Sequence, residues 1–215
     1  MIYVYAIGER EAPLPARDGL GGAPVMGLVE GSLVAFVSND PPGGFEPSER
    51  TLSEHEAVVE DLMESGPVLP MHFGSAVYEL RALLAVLHAR AGELRRGLER
   101  GRGRVELGVR ALEAGRAAAP RRLAASVHEH LLERRRAAAR LADRLHPAFS
   151  ELAVESVCEL APAEGVVFAG AYLVERPHAR ELQRRVERLG GERDDVELVC
   201  TGPWPPYHFT RDVPG

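Results

Sequence analysis

Short apolar runs and one amphipathic pattern alternate along residues 1–73. Residues 2–7 and 28–38 are rich in β-branched and aromatic side chains, which predicts two buried strands. Apolar residues recur at helical spacing over residues 52–63, which predicts an amphipathic helix. The apolar run 68–73 then predicts a central buried strand, and we expect two helices to pack against it.

The amphipathic helix carries signals at both ends. Residues 51–54 (Thr-Leu-Ser-Glu) and 53–56 (Ser-Glu-His-Glu) both match the capping box, in which a hydroxyl and a carboxylate satisfy free backbone amides. Gly66 can adopt the left-handed conformation that follows many helices, and Pro67 cannot continue a helix. We therefore expect the helix to end at this pair.

The longest periodic pattern follows the central strand. Apolar residues recur at alternating spacings of three and four, a heptad seam that extends over three repeats: Val77, Leu80, Leu84, Leu87, Ala91, Leu94 and Leu98. The seam predicts one long helix, which ends at Gly97, Gly101 and Gly103. Two interpretations remain open, a helix packed inside its own chain and an intermolecular coiled coil.

The second half of the chain predicts six elements in the order β-α-β-β-α-β. The strands fall at residues 105–111, 152–160, 166–174 and 196–200, and the helices fall at 120–146 and 179–189. This is the order of the ferredoxin-like fold, in which the first and third strands are central. Helices cover one face of such a sheet, so the other face needs a partner from the amino-terminal domain or a second subunit.

We therefore expect an α+β protein of two domains. Residues 1–100 form an α+β domain that ends in the long heptad-patterned helix, and residues 101–215 form a ferredoxin-like domain with an aromatic and proline-rich tail. The predicted topology places Cys158 and Cys200 on opposite edges of the second sheet, so no disulfide is expected between them.

Composition narrows the class of protein. With 45% hydrophobic and 27% charged residues the chain has an ordinary globular balance, and its net charge of −6 argues against general nucleic-acid binding. Two cysteines fit a reduced cytosolic protein. Residues 1–7 lack the basic start of a signal peptide, and no apolar run approaches the roughly 20 residues that span a bilayer. We expect a cytoplasmic protein without a membrane partner.

The candidate chemical motifs fail on spacing or context. His55-Glu56 begins like a zinc-protease helix, but Val59 stands where the second histidine is required. His72 and Ser75 lack the strand-turn-helix setting of a nucleophilic serine. The glycines of residues 19–22 open no helix, so they do not form a phosphate-binding loop. We expect no catalytic residue, metal site or cofactor.

The carboxy-terminal run differs in kind. Residues 202–209 (Gly-Pro-Trp-Pro-Pro-Tyr-His-Phe) interleave aromatic rings with prolines, so ordering the segment costs little entropy and buries much area. One interpretation is a clasp that closes the two domains onto each other. The other is an exposed protein-binding surface, because rigid aromatic side chains make good interface anchors.

With these motifs the chain resembles the gas vesicle GvpF/GvpL family. The matching features are Tyr3-Val4-Tyr5, His55-Glu56, Val68-Leu69-Pro70 followed by Phe73-Gly74, and Gly202-Pro203-Trp204-Pro205-Pro206-Tyr207 with Phe209. They extend over nearly the whole chain. The chain departs from the family at His72, where the motif usually has arginine, so an ion pair made by that arginine would be absent or pH-dependent here.

The resemblance implies a non-enzymatic accessory protein that contacts the hydrophobic shell protein and other accessory proteins during gas vesicle assembly. It also implies association with gas vesicles and a modified ferredoxin fold in the carboxy-terminal domain. Our candidate contacts are the uncovered sheet face, the heptad seam and the aromatic tail. The candidate partner-binding or family-motif residues are Leu69, Pro70, Phe73, Gly74, Leu84, Leu87, Leu94, Trp204, Pro205, Pro206, Tyr207 and Phe209.

Two alternatives stay open. A ferredoxin-like sheet also supports small-molecule-binding enzymes and sensors, which would need convergent polar residues in a closed pocket. The heptad seam also fits a structural homo-oligomer, held by an intermolecular coiled coil.

Overall fold

The computed structural model describes residues 1–41, 46–113, 127–160, 163 and 165–209. Within these ranges the protein is a mixed α+β structure with two antiparallel sheets and five α-helices. It divides into two compact units. Unit 1 is Met1–Arg104 together with the residues from Trp204 onward, and unit 2 is Val105–Pro203. The tail that the sequence placed after residue 101 thus returns to the first unit.

The sheet of unit 1 has the strand order β2-β3-β1-β4, and β5 also pairs with β1. Its strands are β1 (Ile2–Glu9), β2 (Met26–Glu30), β3 (Leu33–Asn39), β4 (Val68–Pro70) and β5 (Ala76–Val77). The single strand predicted over residues 28–38 is therefore wrong, because β2 and β3 form an antiparallel hairpin. Gly31 makes this turn possible with a φ of 59°, which side chains with a Cβ rarely adopt.

Strand β1 lies inside the sheet and buries both of its faces. A β-bulge shifts its pairing with β3 between Val4 and Ala6. Tyr5 and Ala6 therefore belong to the same core cluster although they are consecutive, whereas Ile7 belongs to the opposite cluster. One core contains α1 (Glu49–Ser65), and the other contains α2 (Leu80–Ala89) and α3 (Ala91–Gly101). Unit 1 is thus a three-layer arrangement with the sheet in the middle.

Helix α1 ends at Ser65, just before Gly66 and Pro67 as predicted, but its capping box and the conformation of Gly66 differ from the prediction. Its capping box is Ser48 with Thr51: Thr51 N donates to Ser48 Oγ at 3.1 Å, and Ser48 N donates to Thr51 Oγ1 at 2.9 Å. Both predicted boxes lie inside the helix, which begins at Glu49. The hydroxyl of Thr51 accepts from the Ser48 amide, a role that the prediction gave to a glutamate carboxylate. Gly66 has a φ of 168°, which is extended backbone and not the predicted left-handed conformation.

The prediction of one long heptad-patterned helix is also wrong. The segment forms two helices that meet at Arg90, whose φ of −105° and ψ of 11° lie outside the helical region, and Val77 belongs to strand β5. Leu87 and Leu94, one from each helix, are buried in the same core. The repeated spacing therefore reports two helices that pack against one side of the sheet.

Unit 2 contains the other sheet, in the order β7-β8-β6-β9. Its elements are β6 (Arg104–Glu113), α4 (Val127–Ser150), β7 (Glu155–Leu160), β8 (Val166–Glu175), α5 (Ala179–Gly191) and β9 (Val196–Trp204). The two strands predicted to be central, β6 and β8, are central. Cys158 on β7 and Cys200 on β9 lie on opposite edge strands, and both are free thiols.

Helix α4 continues through Pro147 to Ser150, four residues beyond the predicted end at residue 146. The predicted first turn of this helix, at residues 120–126, lies outside the described residues. Among the helices of the described ranges, none combines the length and the apolar character needed to cross a bilayer.

Candidate functional site: the junction of the two sequence motifs in unit 1

The first motif segment, Val68-Leu69-Pro70 with Phe73-Gly74, begins in strand β4 and packs against α3. Leu69 is buried, and a Cβ added at Gly97 of α3 would lie 2.9 Å from its Cδ2 atom. Gly97 therefore lets the helix approach the strand closely, whereas the sequence analysis had taken it as a helix stop. Pro70 is buried as well. Phe73 is half-buried and packs against the core cluster that contains Tyr3 and Tyr5.

A hydrogen-bonded chain joins this segment to β1 and α1. His55 Nε2 lies 3.0 Å from the carbonyl oxygen of Met71, and His55 Nδ1 lies 2.9 Å from the hydroxyl of Tyr3. A carbonyl only accepts, so Nε2 carries the hydrogen and Nδ1 accepts from Tyr3. The backbone N–H of Gly74, a residue with a φ of 87°, donates to the same hydroxyl at 3.1 Å. These contacts fix the loop that leads from β4 to β5.

Burial keeps the groups of this chain neutral. It lowers the pKa of His55 to about 4, and it raises the pKa of Tyr3 to about 12. The ring of Tyr5 stacks on His55 with centroids 5.7 Å apart, and Phe73 meets it edge-on at 5.9 Å. Both imidazole nitrogens of His55 form hydrogen bonds, so the residue joins β1, α1 and the loop after β4. Neither nitrogen has a lone pair left to bind a metal.

The second motif segment, from Trp204 to Phe209, packs within unit 1 as well. Pro205, Pro206 and Phe209 are buried, and a Cβ added at Gly101 of α3 would lie 3.4 Å from Pro206 Cγ. Arg100 Nη1 donates to the carbonyl oxygen of Phe209 at 3.3 Å. The buried residues of the tail therefore pack within unit 1. This packing argues against the interpretation of these residues as an exposed binding surface.

The two motifs meet at His72. Its ring stacks on that of Tyr207, with centroids 5.9 Å apart and an interplanar angle of 24°. His72 itself is exposed, while Trp204 and Tyr207 are half-buried. From the sequence, His72 was considered as a base beside Ser75 and as the loss of an arginine and its ion pair. No local pattern predicts an aromatic contact between residues as far apart in the chain as His72 and Tyr207.

Of the predicted seam residues, Leu80 alone is exposed, at the first position of α2. Leu87 and Leu94 are buried, and Leu84 packs against the same core. The surface that the sequence analysis missed lies on the opposite side of α2 and just before it. We call this surface the outer face of α2: it consists of Ala82, Ala85, Val86 and Ala89, and it is extended by Tyr78 and Leu80 at the amino-terminal end of the helix, all exposed.

The outer face of α2 is unusually apolar for an exposed helix face. Tyr78 is 88% exposed, Leu80 43% and Val86 42%. Helix α2 contains only two polar residues, Arg81 and His88. A helix that is apolar on all sides normally packs on all sides. The small number of polar residues in α2 is the sequence signal for this exposed apolar face.

Unit 2 contains a second polar chain, which the sequence analysis also missed. The Tyr172 hydroxyl lies 2.7 Å from His146 Nδ1, and His146 Nε2 lies 3.1 Å from Ser150 Oγ. Ser150 Oγ in turn lies 3.0 Å from Ser156 Oγ. Burial lowers the pKa of His146 and raises that of Tyr172. The chain ties α4 to strands β7 and β8.

The fold and the motif junction define a two-unit α+β protein whose two distant sequence motifs are packed together in one unit. Among the described residues, no group of three or more histidine, cysteine, aspartate or glutamate side chains is placed to hold a metal ion. A family model described as gas vesicle synthesis protein GvpL/GvpF matches residues 1–211. The chain belongs to this family.

Curated relatives agree over nearly the full length. Gas vesicle protein F of Streptomyces sp. (strain CB03234) is 30% identical, with 97% of this chain and 99% of the relative covered. Gas vesicle protein F1 of Halobacterium salinarum is 27% identical, with 97% and 92% covered. The crystal structure of GvpF from Anabaena sp. PCC7120 shares the fold with a TM-score of 0.76 at 20% identity, covering 97% of this chain and 95% of that one. GvpF from Microcystis aeruginosa gives a TM-score of 0.76 at 18% identity, with 97% and 98% covered.

Proposed function

We propose that this protein is a non-enzymatic accessory protein of gas vesicle formation that binds the hydrophobic shell protein during assembly. In this proposal it acts in the cytoplasm, is associated with gas vesicles and also contacts other accessory proteins. Membership of the GvpL/GvpF family supports the role in gas vesicle formation. The observation that carries the binding proposal is the outer face of α2.

The physical argument starts from exposed apolar area. A shell subunit must expose apolar surface before it assembles, and such surface aggregates unless a partner covers it. The outer face of α2 offers aliphatic side chains and the aromatic ring of Tyr78, which suits the docking of an apolar helix. The net charge of −6 would keep the resulting complex dispersed.

Polar groups flank this face, as they do around many interfaces. His88 Nδ1 lies 3.0 Å from Glu30 Oε1 at one end of α2, and Glu79 and Arg81 are exposed at the other end. A partner that covered the apolar strip would leave these groups in water. The outer face of α2 is therefore bounded at both ends, and its length is that of the ten-residue helix.

The other candidate contacts are the seam and the second sheet. The heptad leucines Leu87 and Leu94 are buried inside unit 1, so they would become available only if the unit opened. On the sheet of unit 2, Val157 is 44% exposed, but its cross-strand neighbour Ala171 is buried. We therefore assign the shell-protein contact to the outer face of α2 in preference to the seam, the tail or the second sheet.

We also infer that unit 2 is a ferredoxin-like domain. Its described elements follow the order β-α-β-β-α-β, and its strand order places the first and third strands in the centre. The inference adds no function of its own, because one fold supports many functions.

The test is co-expression of the tagged chain with the gas vesicle shell protein, followed by purification. We expect the shell protein to remain soluble and to co-purify. The double variant Leu80→Glu/Val86→Glu should abolish co-purification, because it places two charges in the apolar strip. The matched control Leu52→Glu/Leu132→Glu changes two other exposed leucines, 39% and 40% exposed, and should bind as the wild type does.

Each failure has a distinct meaning. A wild-type chain that is folded but leaves the shell protein insoluble would contradict direct shell binding. Equal binding by the wild type and the Leu80→Glu/Val86→Glu variant would contradict the assigned surface. Light scattering on the purified chain adds one further arm, since a dimer that the same variant converts to a monomer would identify the face as a contact between copies of the chain.

A further inference from the structure

Helix α5 carries three exposed arginines on one side. Arg180, Arg184 and Arg188 lie at the spacing i, i+4, i+8, and we call them the arginine row. None of the three forms a hydrogen bond or salt bridge with any residue that the structure describes. Arg185 of the same helix differs, because it pairs with Glu151 at 2.7 Å. The arginine row is therefore a charged helix face without a partner in the described part of unit 2.

Helix α1 carries the opposite charge in the same pattern. Glu56, Glu60 and Glu64 are exposed at the spacing i, i+4, i+8, and we call them the glutamate row. Within the described ranges none of these carboxylates has a hydrogen bond or a salt bridge. By contrast, Glu54 and Asp61 accept hydrogen bonds from backbone amides of the loop between β1 and β2, at 2.9 and 2.6 Å. These two carboxylates hold unit 1 together, whereas the glutamate row is left to the solvent.

Each row is unfavourable within its own helix. Like charges four residues apart repel each other and destabilise a helix, and in each row the middle residue repels both of its neighbours. The helix dipole adds to this cost, since it disfavours the carboxylate of Glu64 in the last turn of α1 and the cation of Arg180 in the first turn of α5. A partner that places opposite charges along a row would relieve both effects.

The two rows match each other in length. Eight residues of α-helix rise by about 12 Å, so each row spaces its three charges about 6 Å apart. An antiparallel pairing of α1 with α5 matches every charge of the two rows, as Glu64 with Arg180, Glu60 with Arg184 and Glu56 with Arg188. This pairing joins the two charges that the helix dipoles disfavour, and it places the negative end of one dipole beside the positive end of the other.

We propose that α1 of one copy of this protein binds α5 of a second copy through the glutamate row and the arginine row. A second copy satisfies both rows, whereas a foreign basic or acidic helix would satisfy only one. Each copy has one row of each sign, so two copies can exchange both contacts in a dimer or successive copies can associate in a series. This self-association is separate from shell-protein binding and uses different residues.

Sedimentation velocity of the full chain at two salt concentrations tests the proposal. Ion pairs between exposed side chains are weak and are screened by salt. We expect the weight-average sedimentation coefficient to rise with protein concentration at about 0.02 M salt and to stay at the monomer value at about 0.5 M salt. A folded wild type that remains monomeric at the low salt concentration would overturn the proposal.

Charge reversal identifies the two rows. The two variants, whose altered side chains are all exposed, are Glu56→Arg/Glu60→Arg/Glu64→Arg and Arg180→Glu/Arg184→Glu/Arg188→Glu. Each should lower the association constant by about tenfold or more, because like charges then face each other in the contact. An equimolar mixture of the two should associate again, since the arginine row of the first variant meets the glutamate row of the second. Failure of the mixture to associate would overturn the proposal.

Two controls separate the rows from net charge and from the outer face of α2. Arg135→Glu/Arg136→Glu/Arg140→Glu reverses three exposed arginines of α4, so it changes the net charge as the α5 variant does. It should associate within about threefold of the wild type, and a loss equal to that of the α5 variant would contradict the role of the rows. Leu80→Glu/Val86→Glu should associate as the wild type does. If that variant is monomeric instead, the copies meet through the outer face of α2 and the proposal is wrong.

Discussion

In each unit a tyrosine–histidine pair joins a helix to a sheet. Both tyrosines are fully buried, and the two histidines differ in burial. In unit 1, Tyr3 and His55 are almost fully buried, and His55 ties together segments from three separate parts of the chain. In unit 2, His146 is half-buried and its second partner, Ser150, lies one turn away on the same helix. In both pairs the tyrosine hydroxyl faces histidine Nδ1.

The comparison shows that the same hydrogen-bonding device has different consequences in different surroundings. When the chain around His55 loses a partner, the groups left behind are out of reach of water and bear the full cost of desolvation. Water can replace part of what His146 provides, because that residue is partly accessible. Stability should therefore depend much more on the unit 1 pair, and three predictions test this difference.

The largest expected effect comes from replacing each histidine with phenylalanine. His55→Phe leaves the Tyr3 hydroxyl and the Met71 carbonyl without partners in a buried site, so we expect it to lower the free energy of unfolding by about 3 kcal/mol. His146→Phe should lower it by about 1 kcal/mol. Urea titrations of both variants measure the two values, and equal losses would contradict the distinction between the pairs.

A pH titration of stability should show the next effect. The pKa of His55 is about 4 in the folded protein and 6.5 in its ordinary state, so between these values only the unfolded chain binds the proton. The free energy of unfolding should therefore fall as the pH is lowered from 6.5 to 4, by about 3 kcal/mol at most from this residue. Below pH 4 the folded and unfolded states both bind this proton, so His55 lowers the free energy of unfolding no further.

The control for the pH titration is the same measurement on the two phenylalanine variants. His55→Phe should remove most of the slope between pH 4 and 6.5, since the variant has no imidazole to protonate at that site. His146→Phe should remove less. A slope that survives in His55→Phe would assign the acid sensitivity to other groups.

The smallest expected effect comes from the tyrosine hydroxyls. Tyr3→Phe removes the donor to His55 and the acceptor for the Gly74 amide, and we expect a loss of about 2 kcal/mol. Tyr172→Phe removes one partner of a half-buried histidine, and a loss of about 1 kcal/mol is expected. Thermal unfolding of both variants gives the order, and amide hydrogen exchange at Gly74 should accelerate in Tyr3→Phe alone.

Apolar periodicity predicted most of the elements, because burial of one face is what each pattern encodes. It identified the strands of unit 2, their central pair and the buried run around Leu69. It failed at Arg90 and at Gly31, where a change of one or two backbone angles ends an element without changing the apolar spacing. Periodicity therefore reports the side of an element that is buried better than it reports its length.

The candidate site was less predictable for a different reason. The motif residues were visible in the sequence, but the bonds of His55 join residues 16 and 52 positions away, and no local pattern encodes such distances. The outer face of α2 was missed because the spacing of the leucines marks only the side of the helix that packs on the sheet. The opposite side carries Val86 and alanines, whose spacing resembles no seam.

The return of the tail to unit 1 has a consequence for protein synthesis. The residues Pro206 and Phe209, which pack on unit 1, leave the ribosome only after the whole of Val105–Pro203 has been made. At a typical rate of about 5–20 residues per second, that interval lasts about 5–20 s. During this time the nascent chain exposes the apolar surface that the tail will cover, so a chaperone or an early partner has its best access to this surface before translation ends.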